Sequence, residues 1–382
     1  MKKAVMYGAG NIGRGFIGQV LHDSGYRVVF VDTNLEIVDA INKNNCYTQL
    51  IVGRDFSRER IIDNVCAVEG GDTQAVIDEI SQCDLMAVSV GAGILPRIAP
   101  SIAYGIAKRM QENPHACQNI LICENIMHSS RVLRDLLCGV QGFDAGYLAQ
   151  VGLVQTTISR MVPNLSDEIK KGDPTKIAVE PFCQLPMDKD AFMGEIPHIA
   201  HAVVYSPFAF YEDKKLLIHN MGHAVTAYLG YLNQYSYLWQ AMEDTALVEK
   251  VRSAMLCVTH ALEKDYRADG AELSVYVEDL LFRFGNKALG DTVARVGQDP
   301  MRKLAPGDRF TGALDKCRSQ GIPYDPILLG MAAALCFQNA GDTSALKMQD
   351  QLRQKGAAEF LRDWSKLQEA DIERCVSLYE DL

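Results

Sequence analysis

Apolar residues in the first half of the chain come as short, nearly unbroken runs separated by amphipathic stretches; in the second half they come almost entirely at helical spacing. Residues 3–7, 27–32, 84–90 and 119–123 are runs of the first kind, the pattern of strands buried on both faces of a parallel sheet. Strands near 47–52, 65–67 and 146–153 extend the series, and helices are predicted after Gly15 and near 35–44, 73–80 and 98–110. Strand alternating with helix gives an α/β unit around a parallel sheet. An extended stretch over 176–186 leads into a passage rich in turn formers, Asp188-Lys-Asp190, Gly194 and Pro197, and the domain change is placed there. Beyond it the spacing predicts helices over about 200–212, 215–231, 235–242, 246–266, 273–285, 289–297, 326–338, 345–353 and 356–381. The expectation is an α/β domain over 1–190 and an all-α domain over 191–382, with a site in the cleft between them.

The first strand runs into Gly8-Ala9-Gly10-Asn11-Ile12-Gly13-Arg14-Gly15, and Phe16, Ile17, Val20 and Leu21 continue at helical spacing. Strand, glycine turn and helix in this order form a pyrophosphate cradle. The first glycine permits the turn, the second admits the phosphates, and the third lets helix and strand pack closely. The phosphates then face the helix N-terminus, whose N–H groups and dipole favour negative charge. Asp32 ends the second strand about 20 residues after Gly13, where a carboxylate accepts hydrogen bonds from an adenine ribose and repels a 2′-phosphate, so NAD is favoured over NADP. Val90 at the end of the strand over 84–90, with Gly91 and Gly93 beyond it, is placed against the dinucleotide. Glu124 and Asn125, at the end of the strand over 119–123, fall where nicotinamide and substrate would meet. The first half therefore reads as a Rossmann-type dinucleotide-binding domain.

In the helical half, Lys215, Asn220 and His223 stand at the head of an otherwise apolar run, Ala224-Val225-Thr226-Ala227-Tyr228-Leu229. A cation, an amide and an imidazole on such a stretch cost free energy unless paired. If the stretch is α-helical, Asn220 and His223 share a face, and Lys215 lies about 80° round from His223 and roughly 12 Å back along the axis. Further on, Arg295, Arg302, Lys303 and Arg309 gather in an acidic protein and are a candidate phosphate clamp. Arg160, before Met161-Val162-Pro163, is a candidate anion or substrate contact.

Composition narrows the classes. The net charge of −10 excludes a surface built for non-specific nucleic-acid or anionic-membrane binding. No apolar run approaches the roughly 20 residues of a transmembrane helix. Eleven scattered cysteines with no C-x-x-C pair point to reduced thiols and a cytoplasmic protein, and no spacing suggests a metal site. The oligomeric state is not legible.

The glycine turn Tyr7–Gly18, Cys123-Glu-Asn125, Arg160 with Val162-Pro163, the run Asn220-Met-Gly-His-Ala-Val-Thr-Ala-Tyr-Leu-Gly230 and the segment Arg295–Arg309 together resemble the polyol-specific long-chain dehydrogenases, in particular their mannitol-1-phosphate 5-dehydrogenase branch. The resemblance runs in register from residue 1 to about 310. It implies a metal-independent, NAD-dependent interconversion of mannitol 1-phosphate and fructose 6-phosphate, with Lys215 as acid/base, Asn220 and His223 following five and eight positions later, and Asn125 as a second substrate amide. Arg302, Lys303 and Arg309 fall at its anionic substrate end. The chain departs from the family at Ser159, at Gln298 and at Gly312-Ala-Leu314, where relatives carry Asp, Arg and Lys-Pro-Leu. The second and third departures remove cations, and together the three leave other polyols, keto sugars or hexuronates as alternative substrates. Two other readings are a hydroxyacid or phosphogluconate dehydrogenase, whose Lys-x-x-x-Asn spacing is one residue shorter, and a non-catalytic NAD-binding regulator.

Overall fold

In a computed structural model of the chain, which describes residues 2–170 and 172–382, there are two compact units, Met1–Ala209 and Phe210–Leu382. Among the described residues the first contains eleven strands: β1 (Lys3–Tyr7), β2 (Arg27–Asp32), β3 (Cys46–Val52), β4 (Ser57–Asp63), β5 (Val65–Glu69), β6 (Leu85–Val88), β7 (Gln118–Ile122), β8 (Val151–Gln155), β9 (Ile177–Val179), β10 (Leu185–Asp188) and β11 (Ala202–Tyr205). Six form one parallel sheet in the order β5-β2-β1-β6-β7-β8. This is the order of the doubly wound dinucleotide fold, with its switch point between β1 and β6. Alternate residues of β1 enter different cores: Ala4 and Met6 pack with Phe16, Val20 and Phe30, whereas Val5 and Tyr7 pack with Val76, Ile102 and Leu133. Burial on both faces is the reason these strands read as unbroken apolar runs.

Two small sheets lie outside the main one. β3 pairs antiparallel with β4 and parallel with β9. Tyr47 Oη and Gln49 Nε2, both on β3, donate to the carbonyl of Arg14 at 2.7 and 2.8 Å and fasten the helix after the glycine turn. β4 was not visible in the pattern because Ser57, Arg58, Glu59 and Ile61 are exposed, so it carries no apolar face. The helix expected over 200–212 is corrected to a strand, β11, pairing with β10, followed by a short helix, Ala209–Asp213. The β-branched pair Val203-Val204 fits a sheet better than a helix interior. The strand expected over 146–153 begins at Val151, after a 3₁₀ turn over Ala145–Gln150.

The second unit is helical. At its centre Met221–Leu232 buries nine residues over its length, which an apolar helix does only when neighbours cover every side. Tyr228 is fully buried with its ring 5.4 Å from that of Phe337 and 6.2 Å from that of Phe310, and its hydroxyl donates to the Gly297 carbonyl at 2.9 Å. Helices Thr245–Tyr266, Val293–Gly297, Arg309–Ser319 and Asp325–Leu335 pack against it. No helix among the described residues is long and apolar enough to cross a membrane.

Candidate coenzyme-binding and proton-transfer sites

At the glycine turn the backbone adopts geometry that side chains would forbid. Gly8 has φ +101°, and a Cβ on it would lie 2.3 Å from the Ser89 carbonyl oxygen. A Cβ on Gly13 would lie 1.9 Å from the Gly8 carbonyl oxygen, so the turn closes onto its own helix only with glycine there. Gly10 is different: nothing stands within 4 Å of the place where its Cβ would be. The open side of the turn is therefore a cradle facing free volume at a helix start, the arrangement a pyrophosphate fits. A cavity of about 530 Å³ adjoins it, lined by Asn11, Arg14 and Asn34 on one side and Pro163, Lys170 and Asp173 on the other.

Asp32 closes the cradle from β2. Its Oδ2 accepts from the Ala9 N–H at 2.6 Å and its Oδ1 from the Asn34 N–H at 2.9 Å, which fixes the carboxylate at the sheet's carboxyl edge. Val90 and Glu124 are brought together there: Glu124 Oε1 accepts from the Val90 and Gly91 N–H groups at 2.7 and 3.0 Å, joining the loop after β6 to the end of β7. Burial pushes the Glu124 carboxyl up from its ordinary value, against those two amide bonds. Ile12 is half-buried against the core beneath the turn. Asn11 reaches Asn164 through side-chain amides at 3.3 Å.

Two arginines turn inward. Arg14 donates to the carbonyls of Ala9, Pro174 and Thr175. Arg160, the candidate anion contact, is only 4% exposed. Its Nε and Nη2 donate to the Glu180 carbonyl at 3.0 and 2.8 Å, and its Nη1 to Gly15 O and Gln19 Oε1 at 3.1 and 2.7 Å. This fork fastens the segment before β10 to the first helix, and its donors are committed to the protein. Asn125 stands exposed at the carboxyl end of β7.

In the second unit, Lys215, Asn220 and His223 lie on one continuous helix that does not have uniform pitch. Lys214–Asn220 is π-helical and passes directly into α-helix at Met221. Hydrogen bonding from i to i+5 brings residues five apart nearly into line, so Asn220 rotates back toward the face of Lys215, where an α-helix would turn it well away. Lys214 is held elsewhere, with its Nζ 4.1 Å from the centroid of the Tyr276 ring. Lys215 is half-buried, and burial together with the positive charge of Arg309 brings its ammonium down to about 8.

His223 stacks on Phe284 at 4.8 Å, and its Nε2 lies 3.2 Å from Asp291 Oδ2. Asp291, which sequence reasoning missed, also forms an ion pair with Arg295. Burial favours its neutral form, but the bonds to His223 and Arg295 outweigh this and hold its carboxyl below the ordinary range. In the sequence Gly290-Asp291-Thr292 reads only as a helix start, and Thr292 is in fact the cap that accepts from Arg295 N.

The basic segment divides. Arg295 and Arg302 are exposed and paired with Asp291 and Asp299. Lys303 is 4% exposed, and burial with the charges of Arg309 and Arg302 takes its ammonium down to about 7. Arg309 pairs with Asp308 at 2.9 Å and acts electrostatically on Lys215 and Lys303 alike. Among the described residues no group of three or more His, Cys, Asp or Glu side chains is disposed to hold a metal ion.

A doubly wound dinucleotide unit joined to a helical unit that presents a lysine of lowered basicity beside an amide and an oriented imidazole defines an NAD-dependent oxidoreductase. Residues 2–201 match the mannitol dehydrogenase Rossmann domain and residues 208–381 the mannitol dehydrogenase C-terminal domain, so the chain belongs to the mannitol dehydrogenase family. It is similar to a mannitol-1-phosphate 5-dehydrogenase of Anoxybacillus flavithermus, with 35% identity over 368 residues and 95% of each chain covered. Among solved structures it resembles a D-sorbitol dehydrogenase in substrate-free form, with a TM-score of 0.82, 16% identity, and 99% of this chain and 93% of that one covered. It also resembles the Pseudomonas fluorescens mannitol 2-dehydrogenase in ternary complex with NAD and D-mannitol, with a TM-score of 0.76, 17% identity, and 100% and 92% covered.

Proposed function

We propose that this protein interconverts mannitol 1-phosphate and fructose 6-phosphate without a metal, with Lys215 as the general acid and base. The observation that carries the reading is Lys215 itself: a half-buried lysine near 8, on the π-helical turn that also carries Asn220, with Arg309 acting on it. The similarity to the mannitol-1-phosphate 5-dehydrogenase of Anoxybacillus flavithermus supports the phosphorylated polyol. NAD, when bound, accepts the hydride from C5 of the polyol or returns it to the ketose. The cradle at Gly10, with Asp32 beside it, would hold its pyrophosphate and adenine ribose.

In oxidation the neutral amine of Lys215 takes the proton of the C5 hydroxyl as the C5–H electron pair leaves; in reduction the ammonium gives it back. Asn220 donates a hydrogen bond to that oxygen as negative charge develops. His223, held by Asp291, orients the same oxygen. Asn125 is proposed as a further substrate amide. Lys303 and Arg309 are proposed to bind the phosphate, a point charge and a fork in the interior of the second unit, with Arg302 at their exposed edge. A cytoplasmic location is proposed with this activity, on the eleven free cysteines.

The test is NADH oxidation with fructose 6-phosphate, fructose, and related keto sugars and uronates. Fructose 6-phosphate is expected to give the highest kcat/KM; a preference for an unphosphorylated sugar would overturn the substrate. Since the working base is the neutral amine, polyol oxidation should rise with pH through about 8 and level off, and ketose reduction should fall over the same range. A pH-independent kcat/KM between 6 and 10 would remove Lys215 from that role. Asp291→Asn, which keeps the shape and removes the charge that orients His223, is expected to lower kcat about 10- to 100-fold with NADH affinity unchanged. Steady-state kinetics beside a fluorescence titration of NADH check this.

A further inference from the structure

Among the polar side chains of the site helix, His219 is left unused by the chemistry above. His219 lies four residues after Lys215 and four before His223, within reach of both along one helix face. It is 5% exposed, and its Nδ1 is buried with no hydrogen-bond partner. The ring centroid is 6.2 Å from that of His223 and 5.7 Å from that of Phe284. The ionisable groups acting on it are Lys215 and His223 from its own helix, Arg283 from Gly270–Phe284 and Arg309 from Arg309–Ser319. Burial and these basic neighbours hold the imidazole well below its usual range, which favours the neutral ring.

A buried nitrogen without a partner costs free energy, and an aliphatic side chain would fill the space without that cost. In the Nε2–H tautomer, the Nδ1 lone pair is an acceptor. Lys215 alternates between amine, which needs no acceptor, and ammonium, which does. Burial and the charge of Arg309 both oppose the ammonium.

We propose that His219 is a positioning residue that accepts a hydrogen bond from the Lys215 ammonium once Lys215 has taken the substrate proton. The proton stays on the lysine, and the ring changes neither charge nor tautomer. The inference rests on Lys215 as the acid/base. Its effect is to keep the protonated lysine within the cycle, so that it forms readily in oxidation and remains available as the acid in reduction.

The test compares His219→Leu, which removes the acceptor, with His219→Gln, which restores a carbonyl oxygen. In the leucine variant the rising limb of polyol oxidation is expected to move down by about one pH unit, since a hydrogen bond to a charged group is lost. The glutamine variant should recover most of that shift. An unmoved limb in the leucine variant, or an equal shift in both, would overturn the proposal, because a packing role does not distinguish an acceptor from a methyl group. His219→Met replaces the leucine variant if the latter does not fold. A titration of ¹³Cε-labelled lysines by NMR, with the Lys215 signal assigned by its loss in Lys215→Arg, reads the same shift without turnover. If no polyol or ketose is turned over, the acid/base reading fails while the NMR titration still decides the hydrogen bond. A Lys215 signal that titrates at the same pH in the wild type and the leucine variant overturns it.

Discussion

Lys215→Ala is expected to lower turnover of polyol and ketose about 10³-fold, the scale of a lost general acid/base, while NADH binds nearly as before. The reason lies in the separation of tasks. The cradle proposed for the coenzyme is built from Gly8, Gly10, Gly13 and Asp32 in the first unit, and Lys215 lies on a helix of the second. In the proposed mechanism, removing the side chain also removes the proton acceptor in one direction and the donor in the other, so both directions should lose rate together. Exogenous amines small enough to enter the site should restore part of the rate, more at higher pH, where more of the amine is neutral. Single-turnover kinetics beside NADH fluorescence titration check this. A variant that kept more than a tenth of the wild-type rate would remove Lys215 from the chemistry.

Gly13→Ala is the second large effect, and it acts on coenzyme binding and stability. The added Cβ would sit 1.9 Å from the Gly8 carbonyl oxygen, a backbone atom of the same turn, and no side-chain rotation relieves that overlap. Either the turn opens, which destroys the cradle, or the helix lifts from β1, which uncovers Phe16 and Ile17. The expected outcome is loss of NADH binding by 100-fold or more and a fall in stability of about 3 kcal/mol or more, as for other forced overlaps in a packed interior. Gly10→Ala is the control, because the space beyond that position is open: it should fold normally and lose only coenzyme affinity. Thermal unfolding separates the two variants. Equal stabilities would contradict the packing account of Gly13.

The parts of the molecule read most directly from sequence were those whose residues are neighbours along the chain. The glycine turn, Asp32 at the end of β2 and the apolar strands are local, and their physics is repeated at every residue. The Lys215-Asn220-His223 series was equally visible, but its geometry was not: taken as α-helix, the spacing turns Asn220 away from Lys215, and the π-helical turn at Lys214–Asn220 changes that angle. Arg160 shows the opposite limit. A lone arginine before a proline offers no sign of whether its fork faces solvent or the carbonyls of Gly15 and Glu180. β4 escaped because a strand whose residues are mostly exposed has no hydrophobic period to detect.

By itself the sequence determined that the chain is an α/β dinucleotide unit followed by a helical one, because periodicity and glycine chemistry are set residue by residue along the backbone. It also supplied the lysine, the amides and the basic segment as candidates. Only the tertiary structure decided which of them act on one another. Asp291 orients His223 across 68 residues of chain, Lys303 is buried beside Arg309 while Arg295 and Arg302 stay at the surface, and His219 is enclosed with an unpaired nitrogen. Burial and electrostatic proximity are properties of the packed interior. The lowered basicity of Lys215 depends on both, so it could not be read from the order of residues.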